Sequence, residues 1–214
     1  MEQWQRKEGD GKRNQQLTSE QEDALDWYVL GNGMWINQYY RGIEDGFFND
    51  MSDRTDFGNI TDEEKRLMRL IDEATNNKLP SQILYRSVDA ESIFGKMSDL
   101  DYENLVNKIV YKANDKYSNQ AYEKLMKRVK NSYTEKGHMS TTKNYEIARD
   151  WYGFTGSNKP IVLRIQTTNK TKGIDLDKHN VNRGQQEVLL RRNQTYKVKG
   201  ISAKDGNIFV DVTI

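Results

Sequence analysis

The stretch Gln185-Gln186-Glu187-Val188-Leu189-Leu190-Arg191-Arg192 decides the fold, because it sets polar side chains at the start of an apolar run. The three aliphatic residues favour a short β-strand. Side chains alternate along a strand, so Gln185 and Glu187 are expected on one face. Val188 and Leu190 are then expected on the opposite face, where a core can bury them. A surface strand end also tolerates polar residues, so the pair gains meaning only from the residues upstream.

Composition excludes several classes of function. The chain has 214 residues, which fits one domain, and its net charge of +1 gives no overall attraction to nucleic acid or anionic membrane. A local charged patch is still compatible with that balance. There is no cysteine and there are only two histidines, so thiolate and histidine-rich metal sites are not expected.

No part of the sequence predicts insertion into a membrane. No apolar run approaches the roughly 20 residues of a membrane span, and the polar N-terminus lacks the apolar centre of a secretory signal. The chain is therefore expected to stay in the cytoplasm, to be delivered into the cytoplasm of a target cell, or to be an excised fragment.

The first third of the chain predicts helices. Residues 1–19 are polar and charged and are expected to form a disordered lead or linker. Helices are predicted over residues 20–30 and 34–40. Thr61-Asp62-Glu63-Glu64 has the pattern of a capping box, and apolar residues follow it at helical spacing. Residues 20–79 are therefore predicted to form a helical lobe.

After residue 80 the pattern changes gradually to strands. The predictions are a strand over residues 83–88, two helices between residues 101 and 130, a strand entry at 138–142 and a short helix over 145–152. Strands are then predicted over residues 161–166, 173–176, 185–191, 196–202 and 208–214. Helices first and strands last indicate an α+β domain over residues 20–214, with a β-rich core over residues 80–214.

Three polar positions on predicted strands carry the functional signal. Arg86 lies in an apolar strand, where an arginine is costly unless it meets an anion or carboxylate; a salt bridge at the edge of the core is the competing interpretation. Ser140-Thr141-Thr142 opens a strand with three hydroxyls, which the β-preference of threonine also explains. Gln185 and Glu187 form the third position.

In this order and spacing, the three positions resemble the Arg–Ser–Glu class of mono-ADP-ribosyltransferases. Gly137-His138-Met139-Ser140-Thr141-Thr142 is similar to the class pattern Gly-aromatic-x-Ser-Thr-Ser. Residues 185–198 resemble Gln-x-Glu-x-Leu-Leu-(Pro)-Arg-x-x-x-Tyr-x-(Ile/Val). The resemblance covers residues 80–214, and the helical lobe fits single-domain bacterial or phage exoenzymes such as the Rho-modifying ones. It implies a helical lobe followed by a mixed or antiparallel β-sandwich core with a central NAD cleft.

The resemblance implies NAD as co-substrate and no metal. Arg86 is expected to hold the pyrophosphate of NAD with its planar donor fork. Glu187 is expected to stabilise the positive charge that develops on the ribose as nicotinamide leaves. Ser140 is expected to orient Glu187, and Gln185 to face the acceptor, since a glutamine at that place accompanies acceptors other than arginine.

Further contacts follow from the same resemblance. Ser87, Ser140 and Thr141 are expected to contact NAD, although Ser87 stands where the class commonly has glycine. Phe154, in a segment that matches the phosphate–nicotinamide loop, is expected to cover the nicotinamide. His138 replaces the usual aromatic residue and is interpreted as a packing or surface histidine.

A second loop is expected to recognise the acceptor. Residues 178–184 match the recognition turn of the class, in which Asn182 or Arg183 is expected to touch the target. A protein side-chain amide is the favoured acceptor and a nucleobase the other. The enzyme is expected to be a monomeric toxin or effector with a macromolecular target, and an antitoxin or immunity protein is a candidate partner. An NAD glycohydrolase and a catalytically inactive virion-associated or binding domain are the alternatives.

Overall fold

The computed structural model describes residues 16–42, 60–150, 159–179 and 184–214. Its helices are α1 (Ser19–Trp27), α2 (Gly33–Arg41), α3 (Asp62–Ala74), α4 (Glu91–Phe94), α5 (Asp99–Ile109), α6 (Lys116–Met126) and α7 (Tyr145–Asp150). A π-helical turn (Tyr28–Asn32) joins α1 to α2, and a 3-10 helix spans Leu176–His179. None of the described helices is long and apolar enough to cross a membrane.

The strands of the described residues are β1 (Ile83–Asp89), β2 (Ser132–Glu135), β3 (Met139–Thr142), β4 (Pro160–Gln166), β5 (Gly173–Asp175), β6 (Glu187–Leu190), β7 (Gln194–Lys204) and β8 (Asn207–Thr213). They form one mixed sheet in the order β2-β7-β8-β4-β1-β3-β6-β5. β4 and β8 run parallel, and the other pairs described here run antiparallel. The predicted α+β class, with helices before a mixed sheet, is confirmed.

Each face of the sheet is covered by a hydrophobic cluster. One cluster joins the apolar sides of α4, α5 and α6 to alternate residues of the central strands, including Val188 and Leu190. The other joins α1, α2 and α3 to the opposite face, where Leu189 packs. The strand β6 is therefore buried on both sides, which explains the continuous apolar run of its sequence.

The starts of two helices follow the capping chemistry of their sequence. Thr61 accepts a hydrogen bond from the backbone of Glu64, whose side chain bonds back to Thr61, so the predicted capping box is present. Thr18 forms the same motif at the start of α1. That helix begins at Ser19, inside the stretch expected to be disordered, while residues 1–15 lie outside the described residues.

Candidate active site

The sheet opens between β1 and β3. Every residue of β1 pairs with β4, but only Tyr85 pairs with β3, opposite Thr142. One residue further along β1, Nη1 of Arg86 donates to the backbone oxygen of Ser140 at 2.7 Å. The arginine side chain thus bridges the two strands where their backbone pairing stops.

Glu187 lies on the next strand of the same region. Thr142 pairs with Tyr85 on one side and with Glu187 on the other, so the three residues form one row across β1, β3 and β6. Strands lie about 4.8 Å apart, which places the backbones of β1 and β6 roughly 10 Å apart. Ser140 pairs with Leu189, so Ser140 and Glu187 are diagonal neighbours on one face of the sheet.

The turn before Glu187 differs from the sequence prediction. The strand β6 begins at Glu187, not at residue 185, because Gln186 has a left-handed backbone with φ of 49°. Gln185 therefore lies outside the strand, and the alternation of side chains along β6 does not place it on the same face as Glu187. The turn is held instead by the end of β3, where Oγ1 of Thr142 donates to the backbone oxygen of Gln185 at 2.9 Å.

The helical lobe adds a tyrosine to the site. The hydroxyl of Tyr28 accepts from Nδ2 of Asn37 at 2.9 Å. Burial is the main cause that raises the pKa of Tyr28 to about 12; the hydrogen bond from Asn37 and the charge of Arg86 oppose this rise, and the charge of Glu187 adds to it. The nearby side chain of Ser140 lowers the pKa of Tyr28 slightly. Tyr28 is therefore a protonated phenol within electrostatic reach of both predicted charged residues.

Two glycines leave room for Tyr28 and Asn37 at the site. A Cβ on Gly33 would lie 2.8 Å from the ring of Tyr28, and a Cβ on Gly137 would lie 2.7 Å from Oδ1 of Asn37. That oxygen also accepts from the backbone N–H of His138 at 2.7 Å. A side chain at Gly137 would separate α2 from the entry to β3, and one at Gly33 would displace the ring of Tyr28.

A second cation, Arg41, lies within electrostatic reach of Arg86. Nε of Arg41 forms an ion pair with Oε1 of Glu135 at 2.9 Å. Burial lowers the pKa of Arg86, and the positive charge of Arg41 lowers it further. Arginine guanidinium groups in general act as permanent cations with several N–H donors. Two such cations within electrostatic reach of each other provide the charge that a dinucleotide pyrophosphate requires.

Tyr28, Asn37 and Arg41 were not predicted as site residues from the sequence. One signal was present, because Asn37 and Arg41 are four residues apart and so share a face of α2. The residues contacted by that face lie about one hundred positions away, at Glu135 and His138. The spacing alone did not reveal these contacts.

His138 is a packing residue, in agreement with its interpretation from the sequence. Its side chain is 0% exposed and lies between the rings of Tyr28 and Tyr40, each with centroids 5.9 Å away. Its Nε2 lies 3.2 Å from Oδ1 of Asp72. The contact joins α3 to the entry of β3, next to Ser140.

Asp72 also fixes the chain after β6. Its carboxylate accepts hydrogen bonds of 2.8–3.0 Å from Nε and Nη2 of Arg192, whose guanidinium lies 4.3 Å from the centroid of the Tyr40 ring. Burial opposes ionisation of Asp72, but the contact with His138 and the hydrogen bonds from Arg192 outweigh it and lower the pKa to about 2. One carboxylate on α3 thus anchors both strands that carry Ser140 and Glu187.

Two predicted NAD contacts have hydrogen bonds inside the protein. The buried hydroxyl of Ser87 donates to the backbone oxygen of Ala148 in α7. The buried hydroxyl of Thr141 donates to the backbone oxygen of Val188 at 2.6 Å and so joins β3 to β6. These hydrogen bonds join β1 to α7 and β3 to β6, so both side chains stabilise the fold.

Some predicted site residues lie outside the described residues, namely Phe154, Asn182 and Arg183. Within the described ranges, no group of three or more acidic or histidine side chains is placed to hold a metal ion.

The family model described as ADP-ribosyltransferase exoenzyme matches residues 1–212. No curated protein sequence matches the chain. Among solved structures, the chain is similar to an ADP-ribosyltransferase from Clostridium botulinum, with 23% identity, coverage of 92% of this chain and 87% of that chain, and a TM-score of 0.60.

Two further structures have the same fold. A protein from S. aureus, solved with NAD, is 21% identical, and the match covers 92% of this chain and 87% of that chain with a TM-score of 0.62. An ADP-ribosyltransferase toxin from Paenibacillus larvae is 21% identical, with coverage of 92% of this chain and 86% of that chain and a TM-score of 0.59.

Proposed function

The chain belongs to the ADP-ribosyltransferase exoenzyme family, and on that premise we propose that Arg86, Ser140, Gln185 and Glu187 carry its reaction. Members transfer ADP-ribose from NAD to a macromolecular target and release nicotinamide. The observation that supports this assignment is the hydrogen bond from Arg86 to Ser140, with Glu187 on the adjacent strand. Residues distant in sequence thereby surround one opening in the sheet.

The donor set fits the pyrophosphate of NAD. A guanidinium has five N–H donors, and the bond to Ser140 uses one of those on Arg86. Arg41 adds a second guanidinium within electrostatic reach of it. Arginine suits a phosphate better than lysine does, because its planar fork donates two parallel hydrogen bonds. Arg86 and Arg41 are therefore assigned to hold the two phosphates.

Glu187 is assigned to the sugar. When NAD is bound, it supplies an activated bond between ribose and nicotinamide, and breaking this bond leaves positive charge on the ribose. The carboxylate of Glu187, 3% exposed, stabilises that charge more strongly than an exposed carboxylate would, since less water screens it. Ser140, the diagonal neighbour of Glu187 across β3 and β6, is assigned to position this carboxylate.

Gln185 is assigned to the acceptor. A neutral amide both donates and accepts hydrogen bonds, so it matches another amide or a nucleobase, whereas a guanidinium acceptor benefits from a carboxylate. A protein side-chain amide is the favoured acceptor, because the chain as a whole has almost no net charge. Ser87 and Thr141 are assigned to hold the framework rather than the dinucleotide.

Labelled NAD incubated with the protein and a cell lysate tests the function. The expected result is label on protein together with release of nicotinamide. Label on nucleic acid would transfer the assignment to a nucleobase acceptor. Nicotinamide release without labelled macromolecule would indicate an NAD glycohydrolase, and absence of turnover would contradict the proposal.

A further inference from the structure

Positive charge is concentrated around one helix. Residues 107–130 contain seven lysines and arginines but only two acidic residues, whereas the whole chain has 33 basic and 32 acidic residues. One of the two acidic residues, Asp115, caps α6 by accepting from the backbone N–H groups of Tyr117 and Ser118 at 2.9 Å. The carboxylate of Asp115 is therefore engaged by backbone N–H groups at the start of α6.

The cations lie on the outer side of α6 and at its two ends. The exposed basic residues are Lys112, Lys116, Lys124, Lys127, Arg128 and Lys130. Lys124 forms an ion pair with Asp101 at 2.8 Å, which leaves the ends of the helix as the most basic parts. α6 has 11 residues and so spans about 16 Å, enough for two to three phosphates of an extended chain.

Two exposed tyrosines accompany this charge. Tyr111 precedes α6 and Tyr117 lies in its first turn, and each is 72% exposed. Tyrosine side chains are usually partly buried, so two exposed tyrosines beside lysines indicate a candidate binding surface. Tyrosine rings stack on unpaired bases, and this contact does not depend on base identity.

The opposite end of α6 adjoins a cavity of about 550 Å³. Lys96, Arg128 and Lys130 line it together with Tyr133 and one acidic residue, Glu91, which forms an ion pair with Lys159 at 3.5 Å. Nη1 of Arg128 donates to the backbone oxygen of Lys96 at 2.7 Å, which holds the guanidinium at the rim. This volume accommodates a small ligand such as one nucleotide.

We propose that the outer side of α6, with Tyr111 and Tyr117 at one end and the cavity at Lys96, Arg128 and Lys130 at the other, binds single-stranded nucleic acid. The lysines and Arg128 contact phosphates, and the tyrosines stack on bases. The inference goes beyond ADP-ribose transfer and needs no NAD.

The composition of the surface favours nucleic acid over a membrane. A helix that lies in a membrane interface needs an apolar face to insert. In α6, Ala121 and Leu125 are buried and Met126 packs partly buried against the core, whereas the exposed side chains are polar, charged or tyrosine. Exposed tyrosines favour nucleic acid over an acidic protein surface, because unpaired bases offer them flat faces.

Binding of a fluorescein-labelled twelve-nucleotide single strand of DNA or RNA, measured by anisotropy without NAD, tests the inference. The unmodified protein is expected to bind with an affinity that falls as salt increases. The variant K116E/K127E is expected to lose at least tenfold in affinity and to show a smaller salt slope. The variant Y111A/Y117A is expected to lose affinity for single strands with little change in the salt slope.

The control is K65E/R69E, which makes the same charge change on α3, on the opposite side of the sheet. Circular dichroism checks that each variant is folded. Equal loss of affinity in control and α6 variants would overturn the proposal. Equal binding of polyglutamate or of phosphatidylserine vesicles, or unchanged binding by Y111A/Y117A, would overturn it as well.

Discussion

Nη1 of Arg86 and the backbone oxygen of Ser140 are 2.7 Å apart, although the residues are 54 positions apart in the sequence. The bond forms where β1 and β3 stop pairing, so a cation occupies the opening of the sheet. The same segment of β3 pairs with β6, which carries Glu187. The candidate site therefore depends on one irregularity in the sheet.

Replacing Arg86 by lysine tests its assignment to the pyrophosphate. Lysine keeps the positive charge but loses the planar donor fork, so the KM for NAD is expected to rise about 10–100-fold, as for loss of one charged hydrogen bond. Steady-state kinetics measure the change. R164K is the matched control, because Arg164 lies on β4 opposite Tyr85 and pairs with Asp211 away from the opening. An equal effect of the two substitutions would contradict the assignment.

Replacing Arg41 by methionine tests the cation that the sequence did not reveal. The substitution keeps a long side chain but removes the charge within electrostatic reach of Arg86 and leaves Glu135 without its ion pair. Affinity for NAD, measured by calorimetry, is expected to fall about tenfold or more, the usual loss for one charged contact. Recovery in R41K is expected to be partial. Unchanged affinity in R41M would exclude Arg41 from the binding site.

Replacing Gln185 by glutamate tests its assignment to the acceptor of ADP-ribose. Transfer to the natural target is expected to fall at least tenfold. An ionised carboxylate only accepts hydrogen bonds, so it cannot donate to an amide or nucleobase acceptor as Gln185 can. Hydrolysis of NAD by water is expected to continue, since Glu187 and Arg86 are unchanged. Parallel assays of target labelling and nicotinamide release measure the two reactions. Equal loss of both would place Gln185 in the dinucleotide site instead.

Replacing Asp72 by asparagine tests the anchor of β3 and β6. The folded pKa of about 2 lies below the ordinary value of 3.8, so the ionised carboxylate stabilises the fold above about pH 4. This contribution is lost as the pH falls towards 2. D72N is expected to cost about 1–2 kcal/mol at pH 7, after allowance for partial exposure, and less at pH 3.

Urea unfolding at both pH values measures the effect of D72N, and D23N on the exposed side of α1 is the control. A cost that does not decrease between pH 7 and pH 3 would contradict the assigned role of the Asp72 charge.

The sequence predicted the elements whose signals are local. The α3 helix follows from its capping box and apolar spacing, and β8 from the alternation of Ile208, Val210 and Val212, all of which are buried. The class of fold and the order of Arg86, Ser140 and Glu187 followed from short motifs. These features depend on residues close together in the chain.

Features that depend on distant contacts were not predicted. The short strand β2 has only four residues, and pairing with β7 stabilises it. Arg41 acquires its place from Glu135, which is 94 positions away. The left-handed backbone of Gln186 interrupts the expected strand, and hydrogen bonds from the end of β3 support the turn around it. Local propensity carries no information about such contacts.

The central claim is that Glu187 stabilises the transition state of NAD cleavage, and E187Q tests it most directly. The substitution preserves size and removes the charge, so nicotinamide release is expected to fall by about 10³-fold or more, the scale of losing an electrostatic stabiliser. NAD affinity and the unfolding transition are expected to change little. Nicotinamide release at the wild-type rate by folded, NAD-binding E187Q would contradict the claim.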